Sequence, residues 1–131
     1  MTAFLDTNVL VRHITGDPPD QALRATRYLQ QADELLLPDL ILAEVAYVLE
    51  SFYRMPRGEV AGALRASLTY PAVRVTDRVL LLRAIELYEL QRLGFADSYL
   101  VASAESTGVN AIASFDRGIE RAGTVRREEP A

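Results

Sequence analysis

Residues 1–10, MTAFLDTNVL, place an aspartate between two apolar segments. Residues 3–5 are apolar and predict a short buried strand, and residues 9–11 are apolar again. A carboxylate between buried segments is costly unless a cation or a hydrogen-bond donor meets it. Asp6 therefore either caps the helix that begins near Asn8, which is the simpler interpretation, or belongs to a functional site.

The composition indicates a soluble globular protein with a single domain, residues 1–131. Half of the residues are hydrophobic, and the absence of cysteine excludes disulfides and thiolate metal sites. The net charge is −4, and all 14 basic residues are arginines. A polyanionic ligand would need a local arginine patch or metal ions, because the molecule as a whole does not attract nucleic acid.

The beginning of the chain lacks the features of a signal peptide, which are a basic segment and a long apolar stretch. No apolar run is long enough to span a membrane, so no association with membranes is expected. We expect a cytoplasmic protein, and the absence of disulfides fits that location.

Strand-like and helical patterns alternate along the chain. The strand-like segments lie near residues 2–6, 35–38, 72–75 and 111–114. This alternation predicts an α/β fold with a parallel sheet that helices cover on both faces. The polar end of the chain, VRREEPA, is expected to add a short edge strand before a few flexible residues.

Capping signals give the expected helix ends. Asp17 is a candidate N-cap, with Pro18 at the first helical position. A strong helix is expected over residues 39–54, and the helical pattern after it forms a hairpin with it. Gly94 and Gly108 are candidate C-caps for the longest helix and for the helix that follows it.

Two aspartates follow predicted strands. Asp6 comes directly after the first strand, and Asp116 lies two residues past the strand at 111–114. Ligands of open α/β sheets gather at the carboxyl ends of the strands. Both aspartates are therefore expected at the same rim of the sheet.

Two more acids occupy unusual positions on predicted helices. Glu44 shares a helix face with Ile41 and Val48, so it is expected on the buried stripe, either reaching solvent at the edge or held by a partner. Asp97 opens the predicted helix ADSYLVASAES, where capping is the simplest explanation. That helix is expected to pack on the sheet through Leu100, Val101 and Ala104, which would bring Asp97 near the same rim.

An acidic cluster of this kind favours a metal site. Two like charges 4 Å apart cost about 4 kcal/mol at a typical effective dielectric, so the cluster requires raised pKa values or bound cations. The chain has no lysine to neutralise it. Oxygen ligands alone suit Mg²⁺ or Mn²⁺, which bind phosphate oxygens and activate water.

The chain resembles the PIN domain family, especially the VapC-type toxins of bacterial toxin–antitoxin pairs, over nearly its whole length. FLDTNVLV, with Asp6, is similar to the first motif of the family, and LPDLILAEVAYVL, with Glu44, resembles the second. GFADSYLVASAESTG, with Asp97, resembles the third, and AIASFDRGIE, with Asp116, the fourth. Each motif alone is weak, but four acids in this order, each in a matching apolar context, form a specific signal.

The resemblance implies a three-layer α/β/α fold with a central, mostly parallel sheet. It implies an endoribonuclease in which the four motif acids are the catalytic residues and the ligands of Mg²⁺ or Mn²⁺. The products would carry 5′-phosphate and 3′-hydroxyl ends. The resemblance also implies a homodimer and a cognate VapB-type antitoxin, which inhibits the toxin by inserting a peptide near the active site.

Several polar residues near the motifs have no assigned role. Arg12 and Arg117 suit bidentate phosphate contacts, although most surface arginines make none. His13, the single histidine, is expected to be structural. Some family members carry a further acid after the fourth motif. In this chain DRGIERAG offers only Glu120 for that role. Helix capping explains Thr7 and Asn8 as well as a role in orienting water or substrate does, and a strand-end role explains Ser114 better than a bond to a carboxylate.

Two other enzyme or signalling classes fail for the same reason. The DTN tripeptide is similar to the motif of haloacid-dehalogenase phosphatases, and a response-regulator receiver domain fits the chain length, but both need a lysine that this chain lacks. The alternative that stays open is a non-catalytic PIN-like module that binds protein or RNA. The complete acid set favours the enzyme, because unneeded buried carboxylates would reduce stability.

Overall fold

The computed structural model describes all residues from Met1 to Ala131, which form two compact units. The first unit spans Met1–Thr76 and the second spans Asp77–Ala131. That the whole chain acts as one domain stays a prediction. None of the helices combines the length and the apolar character that a membrane span requires.

The first unit contains a three-stranded parallel sheet and four helices. The sheet has the order β1-β2-β3, and Leu35 of β2 lies opposite Ala3 on one side and Val73 on the other. Its elements are β1 (Thr2–Phe4), α1 (Thr7–Thr15), α2 (Pro19–Gln31), β2 (Glu34–Leu36), α3 (Asp39–Ser51), α4 (Arg57–Ser67) and β3 (Val73–Arg74).

The second unit contains two long helices and a two-stranded parallel sheet, in which Ile112 lies opposite Arg127. The α/β class and the parallel pairing are therefore confirmed, and the polar end of the chain does form a strand. Its elements are α5 (Arg78–Leu90), α6 (Phe95–Thr107), β4 (Ala111–Ala113), a 3₁₀-helix (Arg117–Ala122) and β5 (Arg126–Glu128).

Apolar residues at helical spacing form the core of each unit. On α3 the buried stripe consists of Leu42, Val45, Ala46 and Leu49, which repeat at intervals of three and four residues. In the second unit, Tyr88 is fully buried on α5 and packs edge-on against Phe95, with ring centroids 6.2 Å apart.

Three expectations about local structure were wrong. Phe4 is 74% exposed, because successive strand residues point to opposite sides and Leu5 is the buried neighbour. Asp17 is not the cap of α2, which begins one residue later with Pro19 at the first position. Gly94 does not end α5, since that helix stops at Leu90; it is the N-cap residue of α6.

The other helix ends agree with the sequence to within a few residues. Helix α3 begins at Asp39 as expected and ends at Ser51, three residues before the predicted end at residue 54. Gly108 is the C-cap of α6 with φ of 75°, a left-handed conformation that glycine adopts without strain. The sequence signals for the start of α3 and for the end of α6 were therefore reliable.

Candidate active site

Asp6 lies at the carboxyl end of β1. The backbone N–H of Leu5 donates to the carbonyl of Leu36 at 2.9 Å and continues the ladder, and the helix α1 begins at the next residue, Thr7. Asp6 occupies the N-cap position, but its side chain makes no capping hydrogen bond. It is exposed, so the expected cost of burial does not arise, and its carboxylate is free to bind a ligand.

Thr7 is the polar residue next to Asp6 that the helix buries. Its side chain is 4% exposed, and no protein group hydrogen-bonds its Oγ1. A buried hydroxyl without a partner costs free energy, so native structures usually provide one. Thr7 Oγ1 is therefore an unsatisfied polar atom in the first turn of α1, directly after Asp6 in the chain.

Glu44 lies on α3 outside the buried stripe. The prediction that it shares the buried face was wrong, because Leu42, Val45 and Leu49 form that face and Glu44 is exposed. Ile41, which precedes it by one turn, lies only at the edge of the stripe and is half-buried. Glu44 forms no ion pair, so its carboxylate is also available.

Asp97 is the third residue of α6 and is half-buried. It does not cap the helix, because Gly94 holds the N-cap position. The helix buries Val101 and Ala104 as expected, whereas Leu100 is 45% exposed and does not belong to the packed face. Capping therefore does not explain why an aspartate occupies position 97.

Asp116 lies three residues after the end of β4, at the start of the 3₁₀-helix. Its Oδ1 accepts a hydrogen bond from the backbone N–H of Gly118 at 2.8 Å, so the side chain does cap this helix. Ser114 does not bond the carboxylate; its Oγ accepts from the backbone N–H of Asp116 at 2.9 Å. Both contacts hold Asp116 in one orientation.

Gly118 is a residue of the site that the sequence analysis missed. A Cβ atom at this position would lie 3.1 Å from Asp116 Oδ1, closer than most real contacts. Glycine therefore permits the close approach of backbone and carboxylate. The Asp-x-Gly spacing is typical of a turn in which an aspartate side chain accepts a hydrogen bond from the backbone N–H two residues later. This spacing is the sequence signal that could have identified Gly118.

Asp97 and Asp116 form a carboxylate pair in the second unit. Partial burial raises the pKa of Asp97, and the charge of Asp116 together with a hydrogen bond between the two side chains raises it further. Neither carboxylate has an arginine partner. The pair is thus electronegative, and Asp97 retains its proton more strongly than an isolated aspartate does.

Of the four predicted acids, the structure brings together Asp97 and Asp116. In the first unit no hydrogen bond or ion pair joins Asp6 to Glu44. Neither unit by itself contains three or more histidine, aspartate or glutamate side chains placed to hold a metal ion. The residues nevertheless fit a hard divalent cation, because the donors are all carboxylate oxygens and the Asp97–Asp116 pair lacks a compensating positive charge.

Comparisons with known proteins agree with the motifs. The family model described as PIN domain matches residues 3–125. A VapC ribonuclease of Aquifex aeolicus (strain VF5) is 24% identical over 124 residues, covering 92% of this chain and 91% of that protein. A solved structure, the sarcin–ricin-loop-cleaving toxin VapC20 of Mycobacterium tuberculosis, is 21% identical with a TM-score of 0.45, covering 94% of this chain and 96% of that one.

Proposed function

Because the chain belongs to the PIN domain family, we propose that it is a metal-dependent endoribonuclease and the toxin of a toxin–antitoxin pair. The similarity to a protein named VapC ribonuclease, which extends over nearly the whole length of both chains, supports this activity. The observation that carries the proposal is the carboxylate pair of Asp97 and Asp116, which come from separate motifs and stand within hydrogen-bonding reach.

The proposed ligands of Mg²⁺ or Mn²⁺ are the four motif acids, Asp6, Glu44, Asp97 and Asp116. None of them forms an ion pair, although the chain contains 14 arginines. A bound divalent cation would supply an activated water and would stabilise the negative charge that develops on the scissile phosphate. The charge repulsion between the carboxylates favours binding of such a cation.

The residues of the chain have distinct roles in this proposal. Burial and the neighbouring charge of Asp116 raise the pKa of Asp97, and a divalent cation held by the two carboxylates would relieve their repulsion. The N–H of Gly118 and the hydroxyl of Ser114 fix the orientation of Asp116.

The proposed partners follow from the same activity. The substrate is RNA, and a cognate VapB-type antitoxin inhibits cleavage by inserting a peptide near the active site. We place the protein in the cytoplasm, where both partners are found, and we expect a homodimer. Asp6 and Glu44 are both exposed, so a polynucleotide or a peptide can reach their carboxylates.

Cleavage of tRNA and rRNA by the purified protein tests the proposal. We expect cleavage in Mg²⁺ or Mn²⁺, none in EDTA, and products with 5′-phosphate ends. Asp97→Asn and Asp116→Asn should abolish cleavage, while Asp20→Asn, an exposed first-turn acid of α2, should not. Metal-independent cleavage, or full activity of either site variant, would refute the assignment.

The alternative of a non-catalytic binding module has one observation in its favour, since Asp116 caps a helix and so has a structural role. That role does not extend to Asp97, which caps nothing and has a raised pKa. RNA binding without cleavage under any metal condition would support this alternative.

A further inference from the structure

Arg127 occupies a position in the second unit where an apolar residue would be expected. It lies on β5 opposite Ile112 of β4, and paired residues of neighbouring strands point to the same face of a sheet. Ile112 is 5% exposed and the side chain of Arg127 only 10%, so this face of the two-stranded sheet is the covered one. A charged side chain rarely occupies a covered position unless hydrogen bonds compensate the lost solvation.

Three oxygen atoms accept hydrogen bonds from the guanidinium group of Arg127. Its Nε donates to Glu120 Oε1, and its Nη1 donates to the carbonyl oxygen of Ser114 and to Glu129 Oε1, each at 3.0 Å. Two of the three acceptors belong to other segments, since Ser114 directly follows β4 and Glu120 lies in the 3₁₀-helix. The arginine therefore connects β5 to both of these segments.

The two segments that Arg127 connects flank Asp116 in the chain. Ser114 precedes Asp116 by two residues and Glu120 follows it by four, so that residues 114–120 form what we call the Asp116 loop. A planar guanidinium group holds its N–H groups in a fixed geometry. Arg127 therefore fixes the two ends of the Asp116 loop relative to each other.

Both groups that orient the carboxylate of Asp116 stand in this loop. Ser114, whose carbonyl oxygen Arg127 binds, accepts the backbone N–H of Asp116 with its Oγ at 2.9 Å. The backbone N–H of Gly118 donates to Asp116 Oδ1 at 2.8 Å. Without Arg127 the loop would lose the anchor that its two ends share, and the carboxylate of Asp116 would adopt a wider range of orientations towards Asp97.

We infer that Arg127 is a positioning residue that holds the carboxylate of Asp116 in the orientation needed for metal binding, and that Glu120 serves this contact rather than the metal. Arg127 acts through the Asp116 loop and touches neither metal nor substrate. Glu120, the further acid after the fourth motif, is paired with an arginine, whereas the four motif acids form no ion pair. The inference rests on the proposed function for the metal, but the orientation of Asp116 is measurable without metal or RNA.

Arg127→Met is the variant that tests the inference. Methionine is apolar and of similar length, so it fills the covered position beside Ile112 but makes none of the three hydrogen bonds. Glu120 and Glu129 are both more than half exposed, so water can solvate them once the arginine is removed, and the variant should fold. A role of Arg127 in packing alone predicts no change in the Asp116 loop, whereas a positioning role predicts a looser loop.

Solvent exchange of the Gly118 amide, measured by NMR in EDTA, reports the orientation of Asp116, because this N–H bonds Asp116 Oδ1. The exchange should be about fivefold or more faster in Arg127→Met than in the wild type. The amide of Gln91, which donates to the carbonyl of Leu87 at 2.9 Å at the end of α5, should exchange at the wild-type rate. This second amide excludes unfolding of the unit as the cause.

The matched control is Arg126→Met. Arg126 precedes Arg127 on β5, but its side chain is 71% exposed and bonds Glu128 within the same strand. The exchange of Gly118 should therefore be that of the wild type in this variant. Arg127→Gln gives the same test if Arg127→Met does not fold, since glutamine keeps a polar end at the position.

Binding of Mn²⁺, measured by calorimetry below the unfolding temperature, tests the consequence for the metal site. Arg127→Met should raise the Kd about tenfold or more, as loss of a group that orients a metal ligand does. Glu120→Gln keeps an oxygen that accepts from Arg127 and should raise the Kd less than about threefold. An increase as large as that of Arg127→Met would overturn the assignment of Glu120. In RNA cleavage, Arg127→Met should lower kcat and leave KM unchanged, because Arg127 does not contact the substrate.

The outcomes separate this inference from the proposed function. Unchanged exchange of Gly118 in folded Arg127→Met, or an effect of equal size in Arg126→Met, would overturn the inference. If the wild type neither binds Mn²⁺ nor cleaves RNA while the exchange of Gly118 depends on Arg127, the proposed function fails and the positioning of Asp116 stands. If the wild type does both and Arg127→Met binds Mn²⁺ with the wild-type Kd, only the inference fails.

Discussion

The carboxyl group of Asp97 lies within hydrogen-bonding reach of Asp116, and it has no arginine partner. Asp97 belongs to the first turn of α6, whereas Asp116 follows β4, so the fold of the second unit brings two separate motifs together. Burial and the neighbouring charge make the ionised form of Asp97 unfavourable, which raises its pKa. An arrangement that costs stability without a ligand is typical of a functional site.

Asp97→Asn should raise the thermal unfolding temperature in EDTA near pH 7.5 by a few degrees. The pKa of Asp97 is higher in the folded chain than its ordinary value of 3.8, so the folded state binds the proton more tightly. Stability is therefore lost as the pH rises from the ordinary value of 3.8 through the raised pKa of Asp97. Asparagine removes the charge and with it this loss.

The control for this prediction is Asp20→Asn, which removes a charge from the first turn of α2. It should lower the unfolding temperature slightly, because an acid in the first turn interacts favourably with the helix dipole. An equal decrease for both variants would show that Asp97 only supports its helix.

Gly118→Ala should reduce RNA cleavage about tenfold or more, since the new Cβ would lie 3.1 Å from Asp116 Oδ1 and displace this carboxylate. Gly62→Ala is the matched control, because nothing lies within 4 Å of a Cβ there. Gly62 is inside α4, so alanine should raise the free energy of unfolding by about 0.5–1 kcal/mol and leave cleavage unchanged. Equal activity of the two variants would contradict the role of Gly118.

Acidification below about pH 6.5 should destabilise the first unit through His13. Desolvation lowers the pKa of His13 from its ordinary value of 6.5, so the neutral imidazole is the form that the fold favours. Its two nitrogens bond Thr26 Oγ1 and the Tyr70 hydroxyl at 2.7 and 2.8 Å. The unfolded chain binds the proton at a higher pH than the folded chain, so stability is lost as the pH falls.

Urea unfolding at several pH values between 5 and 7.5 measures this effect. His13→Gln should be less stable at pH 7.5 and should show a flatter pH dependence than the wild type. Because His13 is the only histidine, the difference between the two curves isolates its contribution. Parallel curves would refute the prediction.

Glu105→Gln should lower the free energy of unfolding by about 1 kcal/mol, which is less than the roughly 1.5–3 kcal/mol of a typical hydrogen bond to a charged group. Glu105 on α6 accepts two hydrogen bonds from Arg83 on α5, at 2.8 and 2.9 Å, and a third from Thr124. Arg83 is about a third exposed, so solvent screening reduces the effect. Glu86→Gln, at the exposed end of the same network, should change the free energy by less than about 0.5 kcal/mol in denaturant unfolding.

The sequence predicted those features that depend on local chemistry. The helix end at Gly108 and the start of α3 at Asp39 follow from capping signals that act over one turn. The proximity of Asp97 and Asp116 was predictable because Asp116 follows a strand and the helix of Asp97 was expected to pack on the sheet near the same rim. In contrast, the position of Gly94 was misjudged because Arg92 adopts the left-handed turn, with φ of 57°, which glycine usually adopts.

Burial was harder to predict than secondary structure. Glu44 and Leu100 were both assigned to buried faces, and both are exposed. Helical spacing identifies residues that share a face, but the width of the covered stripe depends on the packing partner, which the spacing does not reveal.

Thermal unfolding against Mn²⁺, for the wild type beside Asp116→Asn, tests the metal site most directly and needs no knowledge of the RNA target. We predict a saturable increase in stability of the wild type, roughly 2.7 kcal/mol when the metal is at 100 times its Kd, and no increase in the variant. Equal increases in both proteins, or none in the wild type at saturating Mn²⁺, would contradict the assignment of Asp116 as a metal ligand and the proposed mechanism with it.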